Sequence, residues 1–176
     1  MRVEDVWYGD GARARLARTV LMPASWLYHG VTAIRNTLYN IGLARTHSSP
    51  IPVISVGNLT VGGTGKTPFT AHLVHLLSEM GRRPAIVMRG YGGDEKLLHE
   101  RLNPGIRVYV SPDRAAGVAL AAAKGADVVV LDDAFQHRRA ARCLDVVLVS
   151  AEQWRDDLKI LPAGPLRESF TGLRRA

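Results

Sequence analysis

Ile51-Pro52-Val53-Ile54-Ser55-Val56-Gly57-Asn58-Leu59-Thr60-Val61-Gly62-Gly63-Thr64-Gly65-Lys66-Thr67 joins a short β-rich run, a glycine-rich turn and the start of a helical pattern. Glycines let a backbone curl until successive N–H groups face one anion, and the helix N-terminus adds its partial positive charge. A lysine at the position of Lys66 reaches the β/γ oxygens of a nucleotide as a point charge. Thr67 offers its hydroxyl to a Mg²⁺ ion. The candidate nucleotide-binding residues are therefore Thr60, Val61, Gly62, Gly63, Thr64, Gly65, Lys66 and Thr67, and the implied ligands are ATP and Mg²⁺. One departure stands out: G-x-x-x-x-G-K-[ST] calls for glycine where this chain has Thr60. An ordinary glycine-rich strand-to-helix turn is the competing reading of the stretch.

Downstream, strand and helix patterns alternate. A helix is expected over 67–80, closed by Gly81, and another over 113–124, closed by Gly125. Strands are expected at 84–88, 106–110, 127–131 and 145–149. Near-continuous Val/Ile/Leu runs separated by helices indicate an α/β fold: a P-loop NTPase-like parallel sheet with helices on both faces.

Three further groups sit where such a sheet binds its ligands. Asp132-Asp133 follow the apolar run 128–131 directly, at the carboxyl end of a strand, where one of them can hold Mg²⁺ through water. A turn or capping pair is the plainer account. Asp94 follows the second strand at the same end, and it reads either as a general base toward a hydroxyl or as the N-cap of a helix starting near Glu95. The segment 161–168, Leu-Pro-Ala-Gly-Pro-Leu-Arg-Glu, reads as stiff and extended, and its Arg167 can clamp a phosphate. As a plain linker it would do neither. His137 reads either as orienting a phosphate or substrate group or as a surface histidine after a strand, and the arginines 114, 138, 139 and 142 read as solvated surface.

Upstream, residues 1–49 form a helical segment without a strand-like run. Leu16, Val20, Leu21, then Trp26, Leu27, Val31, Ile34, Leu38 and Ile41 recur at three- and four-residue steps, flanked by Arg13, Arg15, Arg18, Arg35 and Arg45. Pro23 fits the first turn of a second helix, where its missing N–H is not needed. The most apolar stretch, 20–34, falls short of the ~20 residues a spanning helix needs, and the start of the chain has no secretory-signal pattern.

The 176 residues, 47% of them apolar, suffice for a sizeable core. A single cysteine, Cys143, excludes an intrachain disulfide. The net charge is +7, and all but four of the 23 basic residues are arginine. No basic block with interleaved aromatics appears, which argues against nucleic acid; the surplus suits an anionic surface or a phosphorylated substrate.

Taken together, 57–68, Arg89-Gly90-Tyr91-Gly92, Gly93-Asp94-Glu95, Asp132-Asp133-Ala134-Phe135-Gln136-His137 and 161–168 resemble the tetraacyldisaccharide 4'-kinases, which phosphorylate the 4'-hydroxyl of a lipid A precursor with ATP. Pro23-Ala24-Ser25-Trp26-Leu27-Tyr28 extends the resemblance into the N-terminal helix. The resemblance implies that Lys66 and Thr67 serve ATP–Mg²⁺ and that Thr67, Asp132 and Asp133 surround the metal. It further implies that Asp94 activates the acceptor hydroxyl, that Arg167 and Glu168 line the active site, and that the absent first glycine is a family trait. Ala134 departs from the usual glycine, and the loop from Tyr91 to Asp94 is shorter than in many members. The family is about twice as long, which implies that this chain is an N-terminal fragment, with 1–49 the helical membrane-associating segment and 50–176 the kinase core. The implied partners are a lipid disaccharide and an anionic membrane surface on the cytoplasmic side of the inner membrane, with peripheral attachment. Neither nucleic acid nor an obligate protein partner is implied. A partner-regulated ATPase switch and a non-catalytic nucleotide-binding fragment remain the rival readings. The first lacks the second loop lysine such ATPases carry.

Overall fold

The computed structural model describes residues 2–90 and 93–176. Tyr91 and Gly92, part of the Arg-Gly-Tyr-Gly motif, lie outside them. The chain divides into two compact units, one of Met1–Ala44, Leu59–Thr64 and Val149–Arg175, the other of Arg45–Asn58 and Gly65–Leu148 with Ala176.

The larger unit holds a five-stranded sheet of β1 (Val53–Asn58), β2 (Pro84–Met88), β3 (Arg107–Val110), β4 (Val128–Leu131) and β5 (Leu144–Leu148) in the order β3-β2-β4-β1-β5. Every pairing is parallel. The helices of this unit are α3 (Lys66–Glu79), α4 (Gly93–Leu102) and α5 (Arg114–Ala123). Alternate strand residues feed two cores. Val87, Val129 and Leu131 pack with Val118 and Ala121 of α5. Val56, Ile86 and Val130 pack with Val74 of α3 on the opposite face. This is the two-faced burial that the continuous apolar runs demand.

The register places Ser55 opposite Leu131, so the turn after β4 lies level with the end of β1. Ala134 N–H donates to the Val56 carbonyl there (3.1 Å). From β1 the chain crosses toward β2, and from β4 it crosses to β5 on the other side of β1. The neighbouring ends of β1 and β4 therefore form the switch point where such sheets bind ligands.

The smaller unit contains α1 (Val3–Tyr8), the long α2 (Ala12–Asn40) and a 3₁₀ turn at Phe170–Arg175. Two expectations change here. Pro23 does not begin a second helix: it sits inside α2, which continues through it. A proline costs one intrahelical bond and crowds the carbonyl four residues back, and a 29-residue helix absorbs that where packing holds both halves. Segment 161–168 is turned rather than extended. Leu161 N–H donates to Leu166 O (2.9 Å), Gly164 N–H to Ile160 O (3.1 Å), and the Leu161–Pro162 bond is cis.

α2 packs with its polar side. Ala14, Ser25 and Thr32 are buried, while Leu16, Val20, Trp26, Leu27, Val31, Ile34 and Ile41 are each at least 60% exposed. Ser25 Oγ donates to Ile160 O (3.0 Å) and accepts from Ala163 N–H (2.9 Å). Arg18 Nη1 donates to Val6 O and Gly9 O, both at 2.8 Å, satisfying carbonyls left open at the end of α1. No described helix is long and apolar enough to cross a membrane.

Candidate functional site

In the sheet unit, Lys66 and Thr67 open α3. Its N-cap is Gly65, in the left-handed region at φ 76°, and no side chain caps that end. A left-handed residue is readily glycine, and an uncapped helix N-terminus is an anion site. A Cβ at Gly65 would meet nothing within 4 Å. Lys66 Nζ lies 3.7 Å from Asp133 Oδ1, so lysine and carboxylate face the same spot.

The turn after β4 is heavily fixed. Asp133 adopts φ 48°, an uncommon value for a residue with a side chain. Asp132 is buried, and each of its oxygens is engaged. Oδ1 accepts from Asp133 N–H (2.9 Å) and from the Thr70 hydroxyl (3.4 Å), while Oδ2 pairs with His99 Nε2 at 2.7 Å. Farther along, Arg142 Nη2 donates to Phe135 O (2.9 Å) and Nη1 to His137 O (2.6 Å), and its Nε meets Asp145 Oδ2 at 3.0 Å. Gln136 Nε2 donates to Asn58 O (2.8 Å), tying the turn to the end of β1.

Arg114 is buried at the start of α5. Burial lowers its pKa, with Arg89 adding to the effect and Asp133 and Asp132 opposing it. His137 is pushed down to about 4, first by burial and then by Arg114, with Arg142 and Arg139 adding and Asp113 opposing. Its Nε2 has no hydrogen-bond partner. The combination of two carboxylates, a lysine and a buried arginine suits an anionic ligand carrying a divalent cation: the carboxylates take the metal, the cations the phosphate oxygens. Asp94 lies exposed in the first turn of α4.

In the smaller unit, Thr60 forms an antiparallel bridge with Leu166. Arg167 N–H donates to Leu59 O (2.7 Å) and Val61 N–H to Pro165 O (2.8 Å). Thr60 thus stands in a paired, extended stretch, and the turn 161–168 brings Arg167 and Glu168 alongside it. Glu168 is buried. Asn36 Nδ2 donates to its Oε2 (2.9 Å), and Arg175 Nη2 donates to both carboxylate oxygens (3.1 Å each).

Sequence reasoning missed His99 and Thr70, and it set Arg114 and Arg142 aside as solvated surface, whereas Arg114 is buried and the Arg142 side chain is only 8% exposed. Thr70 lies one helical turn after Lys66, a spacing that could have singled it out. The arginines gave no local signal, because their burial depends on long-range packing. His99 was hidden by an inverted helix: in α4 Leu97, Leu98 and Leu102 are exposed, while His99, and Asn103 just past the helix end, are buried.

The family profile described as tetraacyldisaccharide-1-P 4'-kinase matches residues 17–96 and 92–176. The two matches meet in the loop that looked short from the sequence. The chain is 42% identical over 189 aligned positions to the tetraacyldisaccharide 4'-kinase of Chlorobaculum parvum, covering 93% of this chain and 52% of that protein. It is 43% identical to that of Halorhodospira halophila, covering 96% and 56%. The structure is similar to LpxK of Aquifex aeolicus, solved in a form called "apo" in complex with ATP, with a TM-score of 0.85 and 39% identity over 91% of this chain and 57% of that one. The chain spans about half the length of the curated relatives it matches. A profile matching nearly the whole chain, and a shared fold at this identity, place it plainly: the chain belongs to the tetraacyldisaccharide-1-P 4'-kinase family.

Proposed function

We propose that this chain is the ATP-binding part of a kinase that phosphorylates the 4'-hydroxyl of a tetraacyldisaccharide 1-phosphate. The observation that carries the reading is Lys66, at the uncapped start of α3, facing Asp133 at the end of the neighbouring parallel strand. In this reading residues 1–49 serve the membrane and 50–176 form the kinase core.

Residues 62–67 hold the phosphates through backbone N–H groups, with Lys66 on the β/γ oxygens, while Thr60 and Val61 anchor the loop through their pairing with 165–166. Thr67, Asp132 and Asp133 would hold Mg²⁺. The ion, when bound, offsets the charge on the phosphates. Asp94 accepts the proton of the acceptor hydroxyl as that oxygen attacks the γ-phosphorus in line and ADP departs. Arg167 clamps a phosphate, and Glu168, gripped by Asn36 and Arg175, keeps the segment bearing Arg167 in place.

The acceptor is a lipid, and the outward apolar stripe of α2 suits it. Seven large apolar side chains with Arg13 and Arg15 beside them form a surface that lies in a bilayer interface, peripheral to the cytoplasmic face of the inner membrane. No obligate protein partner enters this account.

Transfer of ³²P from γ-labelled ATP to tetraacyldisaccharide 1-phosphate in detergent micelles tests the reading, using this chain and one extended to the length of its relatives. Label in the lipid from the extended chain supports it. Phosphate released only to water, with either chain, contradicts it and favours an ATPase.

A further inference from the structure

We infer that His99 is a positioning residue, which aims Asp132 toward the metal and ties the helix bearing Asp94 to that carboxylate. The inference rests on the nucleotide site proposed above and adds a residue that neither the motifs nor the candidate site contained.

His99 is fully buried, and its Nε2 lies 2.7 Å from Asp132 Oδ2. A carboxylate only accepts, so Nε2 carries the proton and donates. With Asp133 N–H and Thr70 on the other oxygen, Asp132 is gripped from α3, from α4 and from its own turn. A carboxylate held on three sides has one orientation left, and hydrogen bonds of this kind raise ligand basicity and fix its direction toward a cation.

The rotational setting of α4 points to the same role. Hydrophobic burial alone would turn Leu97, Leu98 and Leu102 inward. Instead they are exposed, and His99 and Asn103 are inside. Asn103 anchors the buried side, donating from both its backbone N–H and its Nδ2 to the His99 carbonyl at 2.9 Å. Nδ1 of His99 has no hydrogen-bond partner. A leucine would fill such a place without leaving a buried nitrogen unpaired, so what the histidine adds is its bond to Asp132. Asp94 lies in the first turn of this helix, five residues before His99. One hydrogen bond therefore sets both the metal carboxylate and the presentation of the proton acceptor.

The test is calorimetric titration of the chain with ATP in Mg²⁺ and with ATP in EDTA, for wild type, His99→Leu and His99→Gln, with thermal melts of each. The expected result is a gain in ATP affinity from Mg²⁺ that falls about tenfold in His99→Leu, while affinity in EDTA changes by less than about twofold. His99→Gln, whose amide keeps a donor near Nε2, recovers most of the gain. A cooperatively melting His99→Leu with the full Mg²⁺-dependent gain overturns the inference. Absence of any gain in the wild type overturns the nucleotide-site reading itself, and this inference with it. Should His99→Leu fail to fold, imidazole ¹⁵N spectra of the wild type decide. The His99 Nε2 resonance moves when Mg²⁺ is added to the ATP-bound chain, and an unmoved resonance overturns the inference.

Discussion

Gly57 has no room for a methyl group: a Cβ there would come within 2.5 Å of Phe135 Cβ and 2.8 Å of Phe135 N. The partner is partly backbone and cannot swing away, so Gly57→Ala pushes the turn after β4 off the end of β1. We expect a loss of about 1–3 kcal/mol in urea unfolding, together with weakened ATP binding, because Asp132 and Asp133 ride on that turn. His137 supplies a pH dependence. Its folded value of about 4 lies below the ordinary histidine value of 6.5, so the unfolded chain takes up a proton that the native state refuses. The stability it contributes is complete above pH 6.5 and is lost as pH falls toward 4. His137→Gln should therefore narrow the stability difference between pH 7 and pH 4.5 by about 1–2 kcal/mol, discounted for partial exposure. Equal acid sensitivity in the two proteins would contradict this. At this scale the places of Lys66 and Thr67 at the start of a helix and of the aspartate pair after a strand were legible, because the local pattern fixes them. His99, Arg114 and Arg142 were not, because their burial is decided by residues far away in the chain.

Among the elements, the strands and α3 and α5 followed from continuous apolar runs and closing glycines, and their ends agree within a residue or two. Helix α5 also has a readable cap. Asp113 Oδ1 accepts from Ala115 N–H at 3.0 Å, and Asp113→Ala should cost about 1 kcal/mol in thermal or urea unfolding. Helices α2 and α4 went the other way. Periodicity correctly found a stripe on α2, but a stripe does not say which side packs. Here Ser25 and Asn36 carry the long-range hydrogen bonds, Thr32 between them in sequence is buried, and the apolar side faces out. The turn at 161–168 escaped notice because two prolines in eight residues suggested extension, whereas the segment folds back and pairs with 59–61.

At the scale of the whole molecule, the parallel sheet was legible and the composition of the units was less so. Residues 149–175 join the N-terminal helices rather than the strands they follow, through bonds such as Trp7 Nε1 to Pro162 O at 3.0 Å that no local pattern announces. The outward stripe of α2 leads to a prediction at this scale. Burying one large apolar side chain is worth ~1.5–3 kcal/mol, so Trp26→Glu should weaken sedimentation with vesicles of anionic lipid by about tenfold or more. Added salt should weaken binding further by screening the arginines. Unchanged binding would remove α2 from the membrane. The central claim, that the start of α3 at Lys66 and the end of β4 form one Mg–ATP site, is tested most directly by titrating Mg–ATP into this chain and into Lys66→Ala. The account predicts saturable, Mg²⁺-enhanced binding to the wild type and at least about a hundredfold loss on removing the ammonium that faces Asp133. Equal affinity in the two proteins would contradict it.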